Sequence, residues 1–233
     1  MYSEPRVLPA GDQALLVEVG EGIDEGVNRA VHRLAVAVRR QSIAGVLDLV
    51  PTYRSLLVCY DPLAIALRDL EHRVSALFRT LDTIDLPEPR TVEIRVCYGG
   101  EYGPDLAFVA ECNELTAEEV VDLHSSGRYT VYMMGFSPGF AYLGGMSPRI
   151  AAPRLATPRT SIPAGSVGIA REQTGIYPVE SPGGWQLIGR TPLRLFDPRR
   201  EPPTLLEPGD VIRFVRIGEE EFLELKREVE SRK

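Results

Sequence analysis

Met134-Gly-Phe-Ser-Pro-Gly-Phe-Ala-Tyr-Leu-Gly-Gly145 is the stretch on which the fold turns. A second glycine- and proline-rich run follows it. That run goes from Pro153 through Ala164-Gly-Ser-Val-Gly168 and Gln173-Thr-Gly-Ile-Tyr-Pro178 to Ser181-Pro-Gly-Gly-Trp185. Glycine permits positive φ and close backbone approach, whereas proline fixes φ and removes a donor. Such a segment cannot be a long helix and reads as short strands joined by stiff, shaped loops. Phe136, Phe140, Tyr142, Tyr177 and Trp185 could wall a pocket there, and Arg154, Arg159 and Arg190 could receive an anion. The competing reading is a small β-barrel with tight corners and ordinary core aromatics, since Gly and Pro are first of all turn formers. Aromatic residues in loops, with Pro-Arg at both 153–154 and 158–159, favour a binding site.

Outward from this centre, the rest of the chain reads as two domains. Arg6–Pro9 and Ala14–Val19 are expected strands, and Asp24 caps a helix bearing Val27, Val31, Leu34 and Val38 at helical spacing. Strands at Val46–Val50 and Ser55–Tyr60 follow, and Asp61-Pro62 is expected to open a second helix lined by Leu63, Leu67, Leu70, Val74, Leu77 and Leu81. This predicts an α+β domain over 1–86, a small antiparallel sheet with two helices on one face. Leu86-Pro-Glu-Pro-Arg90 reads as the linker. Over 91–218, many short strands with Gly/Pro corners and one short helix, opened by the capping box Thr116-Ala-Glu-Glu119, predict a mainly-β barrel domain. Leu193–Phe196 is read as strand-like, and 219–233 as a surface helix.

The chain has 233 residues and a formal charge of −7, which argues against a nucleic-acid partner. Three cysteines without pair spacing, no export core and no apolar run of about 18 residues predict a cytoplasmic protein that does not enter membranes. Cys59, Cys97 and Cys112 are expected to be small buried hydrophobes. No P-loop motif occurs. His32, His72 and His124 lack metal-ligand spacing, so no metal site is expected. Ala164-Gly-Ser166-Val-Gly168 resembles a nucleophile elbow, but Gly175 and Pro178 leave no room for the helix that motif needs. His124 is either a helix-end histidine or an acid–base group facing the pocket. Asp12 reads as a turn residue and Asp197 as a strand end.

Several long motifs, in order, then carry a resemblance: Gly135–Gly145, Pro153–Arg159, Pro163–Ala170, Gln173–Pro178 and Ser181–Pro192. With Gly11–Val17 and Pro51–Leu57 they resemble the B subunit of prokaryotic 5-oxoprolinase. This is the family formerly labelled allophanate hydrolase subunit 1, which includes the KipI-type inhibitor of a sporulation histidine kinase. The resemblance implies a cyclophilin-like barrel related to the carboxyltransferase region of urea carboxylase. It implies partners of the C type (KipA-like) and A type, with ATP as co-substrate of a complex that opens 5-oxo-L-proline to L-glutamate. It also leaves two alternatives: a histidine-kinase inhibitor, or a urea-pathway carboxyltransferase component served by biotin on a partner. Within the enzyme reading, Arg154, Arg159 and Arg190 are expected to bind anions. Phe136, Phe140, Tyr142, Tyr177 and Trp185 are the apolar walls, Ser166, Gln173 and Thr174 neutral hydrogen-bonders, and His124 a proton relay.

Overall fold

The computed structural model describes residues 1–231; the last two positions of the expected terminal helix, 232 and 233, lie outside the described residues. The chain divides into two compact units, Met1–Glu88 and Pro89–Lys233. In the first, strands β1 (Arg6–Pro9), β2 (Ala14–Glu18), β3 (Val46–Pro51) and β4 (Ser55–Tyr60) form an antiparallel sheet in the order β1-β2-β4-β3. Helix α1 (Glu25–Gln41) starts where the Asp24 carboxylate accepts the Val27 N–H, and it stops at Ser42 in the left-handed region. Its Val27, Val31, Leu34 and Val38 pack with Leu15, Val17, Leu56 and Val58 of the sheet. Each such fully buried aliphatic side chain contributes roughly 2 kcal/mol.

Helix α2 (Leu67–Phe78) buries Leu70, Val74 and Phe78 in the same core. It starts later than the sequence suggests. Asp61 builds a turn instead, its carbonyl accepting from Ala64 and Ile65 and its carboxylate from the Leu63 N–H. Leu63, expected on the buried face, is therefore 96% exposed.

The second unit carries β5 (Thr91–Tyr98), α3 (Leu106–Cys112), α4 (Ala117–Ser125), β6 (Tyr129–Met134) and β7 (Ala141–Gly144). It continues with β8 (Arg159–Ile162), β9 (Ser166–Ala170), β10 (Gln173–Ile176), β11 (Ser181–Gly183), β12 (Gln186–Arg190), β13 (Val211–Arg216) and α5 (Glu219–Ser231). Seven of these strands close a barrel in the order β10-β7-β6-β13-β5-β12-β9, while β8 and β11 form a separate two-stranded ribbon. The α+β first domain and the mainly-β second domain are both present. β13 lies between β6, antiparallel, and β5, parallel. Ile94, Val96, Val131, Leu143, Val167, Ile169 and Ile188 fill the core.

The second domain has two short helices where the sequence predicts one. α3 lacks a side-chain cap bond, and α4 carries the capping box of Thr116 and Glu119. Leu193–Phe196 is not a strand: it makes one isolated bridge, Phe196 to Thr204. Cys97 is buried, but Cys59 is half-buried and Cys112 exposed, so the cysteines do not share one role. α5 docks through Phe222, which is buried with Cys97, Tyr102 and Ile217. Among the described residues, no helix is long and apolar enough to cross a membrane.

Candidate functional site

Residues alternate along the barrel wall. Ala141, Leu143, Ile169, Ile176 and Ile188 belong to the barrel core, while their neighbours Phe140, Tyr142, Ala170, Tyr177 and Leu187 belong to a second cluster with Ile162 and Trp185. A two-residue period sends the two sets to opposite faces, so the second cluster lies on the outer wall, against the β8–β11 ribbon that supplies Ile162. Two paired glycines make room for it. Gly168 of β9 faces Gly175 of β10 in register. A Cβ at Gly168 would sit 3.1 Å from Trp185 Cβ, and one at Gly175 would sit 3.1 Å from the Phe140 ring.

The rings meet edge to face. Phe140 lies 5.0 Å from Tyr142, 5.7 Å from Tyr177 and 5.7 Å from Trp185, centroid to centroid. Phe136 extends the cluster into solvent at 5.4 Å from Phe140 and is 63% exposed. Its φ of 64° is left-handed, which is rare for a bulky residue and concentrates at functional loops. In the same loop the Ser137 hydroxyl is buried without a hydrogen-bond partner among the described residues.

Two arginines bound this cluster. Exposed Arg154 lies with its guanidinium carbon 5.9 Å from the Trp185 ring centroid, a cation–π contact. Arg159 donates from Nη2 to Asp105 Oδ1 at 2.7 Å and from Nη1 to the Trp185 carbonyl at 3.4 Å. Burial pushes the Tyr177 phenol pKa up; the Trp185 N–H and the charges of Arg154 and Arg159 pull it the other way with less effect. The phenol therefore stays protonated at neutral pH, beside two cations and beneath exposed aromatic surface.

Seven of the expected site residues thus come together: Phe136, Phe140, Tyr142, Tyr177, Trp185, Arg154 and Arg159. Gln173 is half-buried at the margin, opposite Ala170 of the cluster. Ser166 is buried in extended β9, which is followed by a β-turn and strand, so no nucleophile elbow forms. Arg190 points elsewhere: its Nε donates to the Ala164 carbonyl, and it lines a separate groove of about 370 Å³ with Pro178, Phe196, Phe222 and Lys226.

His124 and Thr174 require a correction. His124 is not a relay facing the pocket but a fully buried core residue. Thr174 Oγ1 spends its one proton on the Gly168 carbonyl at 3.0 Å, so at 2.9 Å it must accept from His124 Nε2. Nδ1 is then the acceptor for the Tyr98 hydroxyl at 2.8 Å. Burial lowers the His124 pKa to about 3, leaving a neutral ring tilted 36° against Phe214 at a centroid distance of 4.4 Å. Both nitrogens are committed and no proton can be passed to a ligand. Thr174 is likewise held in the core.

Comparison with known proteins fits this architecture. Residues 5–206 match the family model for the carboxyltransferase domain, subdomain C and D. The chain is 49% identical to the B subunit of 5-oxoprolinase from Bacillus subtilis (strain 168), over 94% of this chain and 95% of that protein. The chain belongs to the 5-oxoprolinase B-subunit family. A solved conserved uncharacterized protein from Pyrococcus horikoshii is 50% identical, with a TM-score of 0.57 over 93% of this chain and all of that one. The urea amidolyase of Kluyveromyces lactis shares the fold at 23% identity and a TM-score of 0.77, this chain spanning 15% of it.

Within this B-subunit fold, two residues that matter escape a reading of the sequence: Asp105 and Tyr98. Both flank the loop Tyr98-Gly-Gly-Glu-Tyr-Gly-Pro-Asp105, which reads as a polar connection. The signal available is Asp105 itself, an N-cap residue type directly before an apolar run. Asp197, expected as a strand end, is instead buried among Arg194 and Arg199. Their hydrogen bonds, those of Arg199 foremost, hold its carboxyl well below the usual carboxylate range. Among the described residues, no group of three or more His, Cys, Asp or Glu side chains is placed to hold a metal ion.

Proposed function

We propose that the chain is the B subunit of an ATP-dependent 5-oxoprolinase complex, acting with C-type and A-type subunits to open 5-oxo-L-proline to L-glutamate. The observation that carries this reading is 49% identity, over nearly the full length of both chains, to a protein named as the B subunit of 5-oxoprolinase. The outer-wall cluster is the proposed substrate contact. A lactam is a poor electrophile, and transfer of a phosphoryl group from ATP to its oxygen makes ring opening feasible. That step builds negative charge, which preorganised cations and donors stabilise best where water is excluded. Arg154 and Arg159 are the proposed cations, the Ser137 hydroxyl a donor left open, and Phe136, Phe140 and Trp185 the apolar wall. The arginines border the cluster rather than being enclosed by it, which supports a site completed by a partner subunit; on this reading the chain alone is inactive.

The test is ATP-dependent glutamate release from 5-oxoproline by purified C-type and A-type subunits, with this chain added or omitted. Release that needs the chain is the expected result; no release with all three present defeats the reading. Arg154→Ala is expected to reduce kcat/KM at least about tenfold in the assembled complex, the loss of one charge-assisted contact. Unchanged kinetics remove Arg154 from the site.

A further inference from the structure

We infer that Asp105 is a positioning residue for this site, holding the Arg159 guanidinium in one plane against the aromatic cluster. The inference rests on the reading of Arg159 as a substrate contact. Asp105 stands at the N-cap of α3, where an aspartate ordinarily accepts a backbone N–H from the first helical turn. Here its side chain makes no cap bond. Both oxygens are used elsewhere: Oδ1 accepts from Arg159 Nη2 at 2.7 Å, and Oδ2 accepts from the Leu187 N–H at 2.6 Å. The Asp105 N–H in turn donates to the Leu187 carbonyl at 2.9 Å. Asp105 is thus clamped to β12 by main chain and side chain together, and its other oxygen faces the arginine. Its side chain is 13% exposed, that of Arg159 30%.

A guanidinium is planar, so contacts on two of its nitrogens fix its orientation. Asp105 takes Nη2 and the Trp185 carbonyl takes Nη1. Both anchors are tied to β12, Asp105 through Leu187 and Trp185 as the residue before its first position. The ionised pair leaves Arg159 with further N–H groups and a fixed direction in which to present them. An aspartate that only stabilised its helix would accept from the helix's first turn; this one reaches from the start of α3 to Arg159 at the start of β8, the residue bordering the cluster.

A double-mutant cycle in the assembled complex tests the inference: Asp105→Asn, Arg159→Ala and the two combined, read as kcat and KM for glutamate release. Asparagine keeps an oxygen for the Leu187 N–H and removes the charge. Asp105→Asn is expected to lower kcat/KM about tenfold, in line with the cost of misplacing a contact group. In the Arg159→Ala background the same change should cost less than about twofold, because nothing remains to be positioned. Losses that multiply overturn the positioning role and leave Arg159 in the site. An Arg159→Ala complex at full rate overturns the site reading as well. Arg159→Lys gives a second readout that does not depend on the folding of an Asp105 variant. It keeps the charge without the plane and is expected to lose as much as Arg159→Ala; wild-type kinetics in that variant defeat the proposal.

Discussion

His124→Ala is expected to lower the stability of the barrel domain by about 4 kcal/mol, the sum of a buried-ring cavity and lost hydrogen bonds. The ring touches Phe214 and Tyr129 and joins the Tyr98 hydroxyl of β5 to Thr174 of β10. Removing it strands the Tyr98 hydroxyl in the core. The effect also carries a pH signature. The folded-state pKa is about 3, below the ordinary histidine value of 6.5 that holds in the open chain, so the unfolded state binds the proton more readily. The contribution of His124 is complete above pH 6.5. As pH falls from there toward 3 it declines by up to about 1.4 kcal/mol per unit. Urea denaturation at about pH 7.5 and about pH 5.5, on either side of that ordinary value, measures both effects in wild type and variant. Equal stability at the higher pH, or the same loss on acidification in both proteins, would contradict the buried neutral ring.

Gly103→Ala is the second large effect, at about 3 kcal/mol, through overpacking against main chain. A Cβ at this position would stand 2.0 Å from the Ile188 carbonyl oxygen, 2.2 Å from its carbon and 2.8 Å from the Gly189 nitrogen. These are backbone atoms of β12, so no rotamer change relieves the clash. The loop must lift, breaking the bonds from Gly99 N–H to Ile188 O and from Asp105 N–H to Leu187 O. The variant should therefore lose activity as well as stability, since Asp105 leaves Arg159 when the loop lifts. A denaturation midpoint matching wild type would mean that the loop does not rest on β12.

The contrast between what the sequence reveals and what it hides follows the range of the interactions. Ser55–Tyr60 alternates and is flanked by a turn, and the strand has those bounds. α1 announces itself through Asp24 and four spaced aliphatics. The outer-wall aromatics are legible because rings set among glycine and proline have few other uses. α3 is not: seven residues give too few turns to show a period. His124 looks the same in sequence whether it faces water or the core, because the residue that decides, Thr174, is 50 positions away. Arg159 reads as a free cation because Asp105 lies 54 positions before it. Composition groups Arg190 with the other arginines, although the fold turns it toward Ala164.

The parallel pairing of β13 with β5 has a consequence for the order in which the barrel is made. Thr91 pairs with Val211, and the junction is tied by Arg90 and Asp210 across 120 positions. As the chain leaves the ribosome, β5 emerges early and has no neighbour on that side until β13 follows. β6 waits for the same strand. Contacts of such separation form slowly, and unpaired strand edges are sites of intermolecular pairing. The nascent domain therefore passes through a period with two open edges, and a chain ending before Val211 would keep the β5 and β6 edges open to pairing with another molecule.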